Sequence, residues 1–364
     1  MTLCDTLQHD DCREQGSVAR PSVSIIILNY NGARWLDRCL GSLRSQTVFD
    51  RIEVIVADNA SPDGSADVAA RLMEGWGNGR VLRFDRNLGF CEGNNEAART
   101  ASGEYLFFLN NDTWLEPDCL EVLLEGVRRE GVQVATPLML NYEDSTIQSS
   151  GGAGFDLFGL MSLAPCEVGE TRRVFVAGGC CYLIQEGLFR KLGGFDRAFF
   201  MYGDEYDLSW RIWIAGAEAL LVPAARLHHR GAASVNPTGG GKVLEVRTSD
   251  SKRFYTNRNC LLLLLKNCQH LLLAMVPLQL ALLCLEALAG LVMIRRWSFV
   301  KRAYIDAILA CWGLRGHILA ERRLLASVRQ RSDWQMLSFF RCRLNRWEEV
   351  RNVLRNGPPK VTAG

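Results

Sequence analysis

The sequence predicts an α/β protein built on a doubly wound, mostly parallel sheet, followed by a helical tail. Three observations carry this. Short β-branched runs recur between segments of helical periodicity, polar residues close those runs, and the charge divides unevenly along the chain. Alternation of strand and helix winds a parallel sheet, whose ligands bind at the carboxyl ends of its strands.

Residues 1–20 are polar and read as a loose N-terminal arm. SVSIIILN (22–29) is a continuous β-branched run, the signature of a strand covered on both faces. Trp35, Leu36, Cys39, Leu40 and Leu43 then fall at helical spacing within 33–45. IEVIVAD (52–58) is a second buried strand. After the turn ASPDGS come a helix near 65–73, a short strand at VLRF (81–84), a small-residue helix near 91–101 and the strand EYLFFLN (104–110). From 137 to 175 the Gly- and Ser-rich sequence predicts a loop-rich flap. Periodicity returns at VFVAGGCCYLI (174–184), and helices are predicted over 204–215 and 251–268. No internal repeat is apparent.

The composition, 48% apolar and 23% charged, excludes a disordered or collagen-like chain. The net charge of +2 conceals a division: residues 251–364 carry 19 Lys/Arg against 6 Asp/Glu, a net of +13, so residues 1–250 carry −11. A basic tail suits nucleic acid or anionic lipid. The apolar run from Leu271 to Ile294 beside it points to lipid rather than nucleic acid. That run is long enough to cross a bilayer, yet Pro277, Gln279 and Glu286 interrupt it. A helix lying in the interface, a spanning helix and a buried core helix all remain open. The reading is therefore a polar arm (1–20), a catalytic body (21–250) and a basic, Leu-rich, membrane-associated tail (251–364). A tail of that kind predicts that cutting near residue 268 leaves a more soluble protein. The 13 cysteines include no C-x-x-C pair, which argues against a disulfide framework or a zinc ribbon. The first residues lack an apolar signal core, so the body is expected in the reducing cytosol.

Three strand ends place polar residues where a nucleotide binds in such a sheet. They are Asn29-Tyr30-Asn31, Asp58-Asn59 and Asn110-Asn111-Asp112. A carboxylate closing a buried strand accepts from a base N–H, and a planar Tyr stacks on the ring. Singly, Asp58, Asn29 and Asn31 read equally well as turn residues. Asn110 and Asp112, two apart, would point the same way if the segment stayed extended, and offer oxygen ligands to Mg²⁺ or Mn²⁺ on a diphosphate. Asp112 or Thr113 as a helix cap is the competing reading. Asp207 and Arg211 lie one helical turn apart and can pair.

Six ordered segments, VSIIILNYNG, VIVADNASPDGS, RNLGFCEGNN, GEYLFFLNNDT, LGGFDRAFFMYGDEYDLSWR and LHHRGAAS, resemble the family 2 inverting glycosyltransferases, especially the rhamnosyltransferase-like branch that builds bacterial surface polysaccharides. The resemblance runs from about residue 22 to 268 and implies a GT-A fold. It implies that Asp58 holds a uracil or thymine ring in a pocket lined by Asn29, Tyr30 and Asn31, and that Asn87 and Gly89 underlie the ribose and sugar. It also implies that Asn110-x-Asp112 stands for the metal-binding D-x-D with Asp112 the principal ligand, and that Gly178-Gly179 approach the donor sugar. Either His228 or His229 would complete the metal or diphosphate site. The family usually shows Glu-Asp at this position, the second residue being the base. Here the order is Asp204-Glu205, so by position Glu205 is the base and Asp204 the runner-up. Transfer from a UDP- or dTDP-sugar to a lipid-linked or polysaccharide acceptor, at the cytoplasmic face of a membrane, is the expected activity. A nucleotidyltransferase is the first rival, though NYNGARW supplies only one Gly and Arg34 for a triphosphate loop. A non-catalytic scaffold at the membrane is the second.

Overall fold

The computed structural model describes residues 21–149, 152–156, 158–163, 169–175, 180–231 and 247–341, with a few positions beyond. The first half alternates strand and helix: β1 (Val23–Asn29), α1 (Ala33–Arg44), β2 (Ile52–Asp58), α2 (Ser65–Leu72), β3 (Gly79–Arg83), α3 (Gly89–Arg99) and β4 (Tyr105–Asn110). These strands are parallel in the order β4-β1-β2-β3. Their register sets Asn29 opposite Asp58 and Leu28 opposite Asn110, so the three polar strand ends share one edge.

The second half completes the sheet with β5 (Thr113–Leu115), α4 (Cys119–Glu130), β6 (Val134–Asn141), β7 (Ile147–Ser149), β8 (Gly152–Phe155), β9 (Met161–Leu163), β10 (Arg172–Val174), β11 (Cys181–Gln185), α5 (Glu186–Lys191), α6 (Asp204–Ile214) and β12 (Ala219–His229). β11 enters antiparallel between β4 and β6, and β12 lies parallel to β6. The expected single segment 174–184 is thus two strands, β10 and β11, in different places. β6 also continues into the stretch expected as flap. Its residues Leu138, Met139 and Leu140 are buried, and so hold a strand that composition alone did not suggest.

Side chains alternate across the strands, and each face has its own core. Ile25, Ile27, Val54, Val56 and Phe107 pack beneath α1, α2 and α4. Ile26, Ile55, Leu106 and Phe108 face the other way, with Phe189, Phe195, Trp210 and Ile212.

The tail shares that second core. α7 (Asp250–Asn267) buries Leu261 to Leu264, and Cys311, Ile318, Leu325 and Met336 from later helices join the same cluster. Lys266, itself fully buried, donates to Asp207 (2.8 Å) and Asp196 (2.7 Å), and His317 reaches Asp196 at 3.0 Å. Burial alone raises a carboxyl's pKa. Here Lys266 and the His317 hydrogen bond more than reverse that, holding Asp196 well below the usual carboxylate range. The division expected at 250 is therefore no break in packing, and a cut near 268 strips the apolar partners Cys311, Ile318, Leu325 and Met336, together with His317, from the body.

α8 (Met275–Ile294) is different. Pro277 sits in its first turn, where its missing N–H costs no helical bond. Only Gln279 and Leu283 of the helix are buried. Leu272–Ile294 is long and apolar enough to cross a membrane, with a mean hydropathy of 2.1.

Candidate active site at the carboxyl edge of the sheet

Asp58 and Asn29, the last residues of neighbouring strands, are both buried and bonded to each other: Asn29 Nδ2 donates to Asp58 Oδ2 at 2.9 Å. The same amide donates to Ser65 Oγ at 2.8 Å, and the Ser61 backbone N–H donates to Asp58 Oδ1 at 2.9 Å. Asp58 is thus anchored by a turn it also organises. Asn111 Nδ2 donates to Asn29 Oδ1 at 2.7 Å, which carries the chain of bonds from the end of β2 to the loop after β4. Gly32 makes room for that pair, since a Cβ there would lie 2.0 Å from Asn111 Nδ2. Tyr30 is half exposed above this cluster, and Asn31, in the left-handed region at φ 54°, has its N–H bonded to Ser61 Oγ.

The RNLGF segment is pinned by Asn59. Its Nδ2 donates to Asn87 Oδ1 (2.9 Å) and its Oδ1 accepts from the Leu88 N–H (2.8 Å). Gly89 adopts φ 77°, and a Cβ there would lie 2.6 Å from the Phe200 ring, so the site's two loops meet at a residue with no side chain.

β4 stops at Asn110, and Asn111-Asp112 form a turn before β5. The expectation that Asn110 and Asp112 project together from an extended segment therefore fails. Asn110, half-buried, ends its strand, while Asp112 is carried across to β12. Pairing of Thr113 with His229 and Trp114 with His228 sets the two histidines apart. His229 Nε2 lies 3.5 Å from Asp112 Oδ1, and its Nδ1 lies 2.7 Å from Gln148 Oε1. His228 is buried, stacked on Trp114 at 3.6 Å, with Nε2 3.2 Å from Glu116 Oε1. Of the two candidates, only His229 faces Asp112.

Ligands cis on an octahedral ion with bonds of 2.0–2.1 Å are about 3 Å apart. The Asp112–His229 pair at 3.5 Å is compatible with that arrangement. Among the described residues no three His, Cys, Asp or Glu converge on a metal position, so Asp112 and His229 are a candidate pair rather than a complete ligand set. Gly178 and Gly179 lie outside the described residues.

Asp204 and Glu205 open α6. Asp204 is buried and Glu205 half-buried. Desolvation pushes both carboxyls above their usual range, and for Asp204 the neighbouring Glu205 charge adds to it. Asp207, one turn on, is fully buried among Arg211 (2.8 Å), Lys266 (2.8 Å) and Asn267 (2.9 Å). It is a structural carboxylate. Sequence reasoning did not single out Asn59, Asn111 or Gln148 for these supporting roles. Nothing in a polar strand end says which amide turns inward.

This sheet, with a buried carboxylate, an Asp–His pair and a desolvated acidic pair at its carboxyl edge, has the GT-A fold, in which ligands bind at that edge. Residues 24–192 match the model of glycosyl transferase family 2. Over 230 residues it is 30% identical to the O-antigen biosynthesis protein RfbC of Myxococcus xanthus, covering 59% of this chain and 18% of that protein. The chain spans between about a fifth and about a third of the length of the curated relatives it matches first. A crystal structure of S. aureus TarS 1–349 aligns with a TM-score of 0.55 at 15% identity, covering 93% of this chain and 92% of that one. One of GalNAc-T7 with UDP, GalNAc and Mn²⁺ aligns at 0.52 and 20% identity, covering 58% and 44%. At such identities these likenesses concern the fold.

Proposed function

We propose that the protein transfers a sugar, with inversion, from a UDP- or dTDP-sugar to a lipid-linked or polysaccharide acceptor in surface glycan synthesis; rhamnose is the candidate sugar suggested by the resemblance. The observation that carries this is the hydrogen-bonded line Asp58–Asn29–Asn111 at one sheet edge, leading into the loop that holds Asp112 against His229. It has the order of a nucleotide diphosphate: base at Asp58 with Tyr30 free to stack, ribose along Asn87 and Gly89, diphosphate at Asp112. Asp112 and His229 would hold Mn²⁺ or Mg²⁺; the imidazole nitrogen favours Mn²⁺, because Mg²⁺ prefers oxygen. The ion, when bound, neutralises charge on the leaving diphosphate. Glu205 takes the acceptor hydroxyl's proton, a role its raised pKa suits. The O-antigen role named for the M. xanthus relative supports a surface glycan as product.

Calorimetry with UDP and dTDP, with and without Mn²⁺, tests the donor site. Asp58→Ala is expected to weaken binding by about 1–3 kcal/mol, the worth of a lost charge-assisted hydrogen bond. Wild-type affinity in a folded variant would reduce Asp58 to a turn residue.

The reading includes the cytoplasmic face of a membrane. α8 is held by neighbouring segments of the tail, Leu283 lying against Phe299, Val300 and Ala303, and this reading places it on the bilayer rather than across it. Leu285, Leu288, Val292 and Trp312 are exposed, and the exposed cations Arg295, Arg296, Lys301 and Arg302 follow the helix. Apolar surface rimmed by cations suits anionic lipid. Leu285→Glu with Leu288→Glu is expected to reduce cosedimentation with phosphatidylglycerol vesicles at least tenfold. Unchanged sedimentation sinks the membrane reading. A dimer that the same changes dissociate would identify a second copy as the occupant instead.

A further inference from the structure

Ahead of the acidic pair the chain makes a turn of unusual backbone. Phe200 (φ 62°) and Tyr202 (φ 66°) both occupy the left-handed region, although each carries a bulky side chain, and Gly203 (φ 82°) follows them. Such residues persist only where their surroundings hold them. Here five consecutive carbonyls are captured. Arg258 Nη2 donates to Ala198 O (2.6 Å) and Phe199 O (2.8 Å). The Phe90 N–H donates to Phe200 O (3.0 Å). Asn259 Nδ2 donates to Phe199 O (3.0 Å), Met201 O (2.7 Å) and Tyr202 O (2.7 Å).

Asn259 is 1% exposed, and Arg258 Nε donates to its Oδ1 at 2.8 Å, which turns the amide nitrogen toward the turn. Both residues belong to α7, beyond the family match that ends at 192. The Phe200 ring, against Gly89 on one side and stacked on Tyr255 of α7 at 5.5 Å on another, ties the donor loop to the same helix.

We propose that Asn259 is a positioning residue: it latches the turn Ala198–Gly203 and thereby sets where Asp204 and Glu205 stand relative to the donor loop. Without the latch, Phe200 and Tyr202 relax toward negative φ, and the first turn of α6 moves with them. The proposal rests on the reading of Glu205 as the base. It adds that the tail helix is part of the apparatus that places it. A displacement of about 1 Å at a reacting group costs on the order of 100-fold in rate, whereas donor binding, anchored at β1 and β2 and with its Asn87 loop held separately by Asn59, changes far less.

The test compares Asn259→Ala and Asn259→Ser with Asn257→Ala. Asn257 is equally buried on α7 but donates to Ala303 O, away from the turn, and so reports the general cost of removing a buried amide. With Asn259→Ala, kcat is expected to fall about 10- to 100-fold with donor Kd within about threefold, and amide exchange over 199–205 to rise at least about tenfold. The acid limb of the pH–rate profile moves down as the carboxyls become solvated. Asn259→Ser, keeping one donor, falls between, and serves alone if the Ala variant does not fold. Asn257→Ala keeps wild-type turnover and exchange in the turn. Turnover equal to that of Asn257→Ala, or unchanged exchange over 199–205, overturns the latch. A wild type that binds nucleotide but neither transfers sugar nor hydrolyses donor defeats the reading of Glu205 instead, and the latch is then decided by exchange alone.

Discussion

Asp112→Ala is expected to leave the protein folded and to lower sugar transfer by at least about 1,000-fold, because charge stabilisation by a bound ion is worth several kcal/mol in the transition state. The side chain sits in a turn at the sheet edge, and His229 is its one described side-chain partner, so its loss removes little that holds the fold. EDTA should reproduce the loss in wild type, with Mn²⁺ restoring activity. His229→Ala should weaken metal dependence less severely, since one carboxylate and the diphosphate remain. His228→Ala separates the two histidines from the other side. With its ring stacked on Trp114 and its Nε2 on Glu116, it should lower the melting temperature and leave the metal requirement unchanged. Full activity of Asp112→Ala, or of wild type in chelator, defeats the metal assignment.

The strands of the nucleotide-binding half were legible because their signal is local. VSIIILN and IEVIVAD are apolar throughout except for the hydrogen-bonded pair Ser24 and Glu53 near their starts, and each closes on a polar residue at the sheet's carboxyl edge. The family resemblance extended this to the order of the site. What stayed illegible depends on pairing between distant segments. That β11 runs antiparallel between β4 and β6 is not written in CYLIQ. That β4 ends in a turn, so that Asp112 rather than the pair Asn110–Asp112 meets β12, follows from the register Thr113–His229. The choice between His228 and His229 follows from it too, since adjacent strand residues face opposite ways. The packing of the tail was illegible for another reason. Its Leu-rich, basic composition suits a membrane surface equally whether it lies on the body or apart from it. The burial of Leu261 to Leu264 beside the sheet, and Lys266 between Asp196 and Asp207 from segments 70 and 59 residues away, reveal that α7 is core.

The second large effect is expected at the acidic pair. Glu205→Gln, nearly isosteric but unable to accept a proton, should cut turnover by about 10²–10⁴-fold with donor affinity little changed. Two features of the site favour Glu205 over Asp204. Successive helical positions differ by about 100°, so the two carboxyls cannot address one atom. Asp204 is buried, whereas Glu205 is half-buried and reaches one methylene further. Asp204→Asn should accordingly do less. It also alters the group beside Glu205, however, and one consequence follows in sign. Burial already raises the Glu205 pKa, so transfer, which needs the carboxylate, should fail on the acid side at a pH above the ordinary carboxylate range. Any residual negative charge on Asp204 pushes in the same direction, so its neutralisation should move the acid limb of kcat/KM down, never up. Turnover, donor affinity and the pH profile of both variants decide the matter together. A dead Asp204→Asn beside an active Glu205→Gln would place the base one residue earlier. If neither variant loses turnover, the proton acceptor lies elsewhere. Asp207 is then a poor substitute, because Arg211, Lys266 and Asn267 already occupy its carboxylate inside the core.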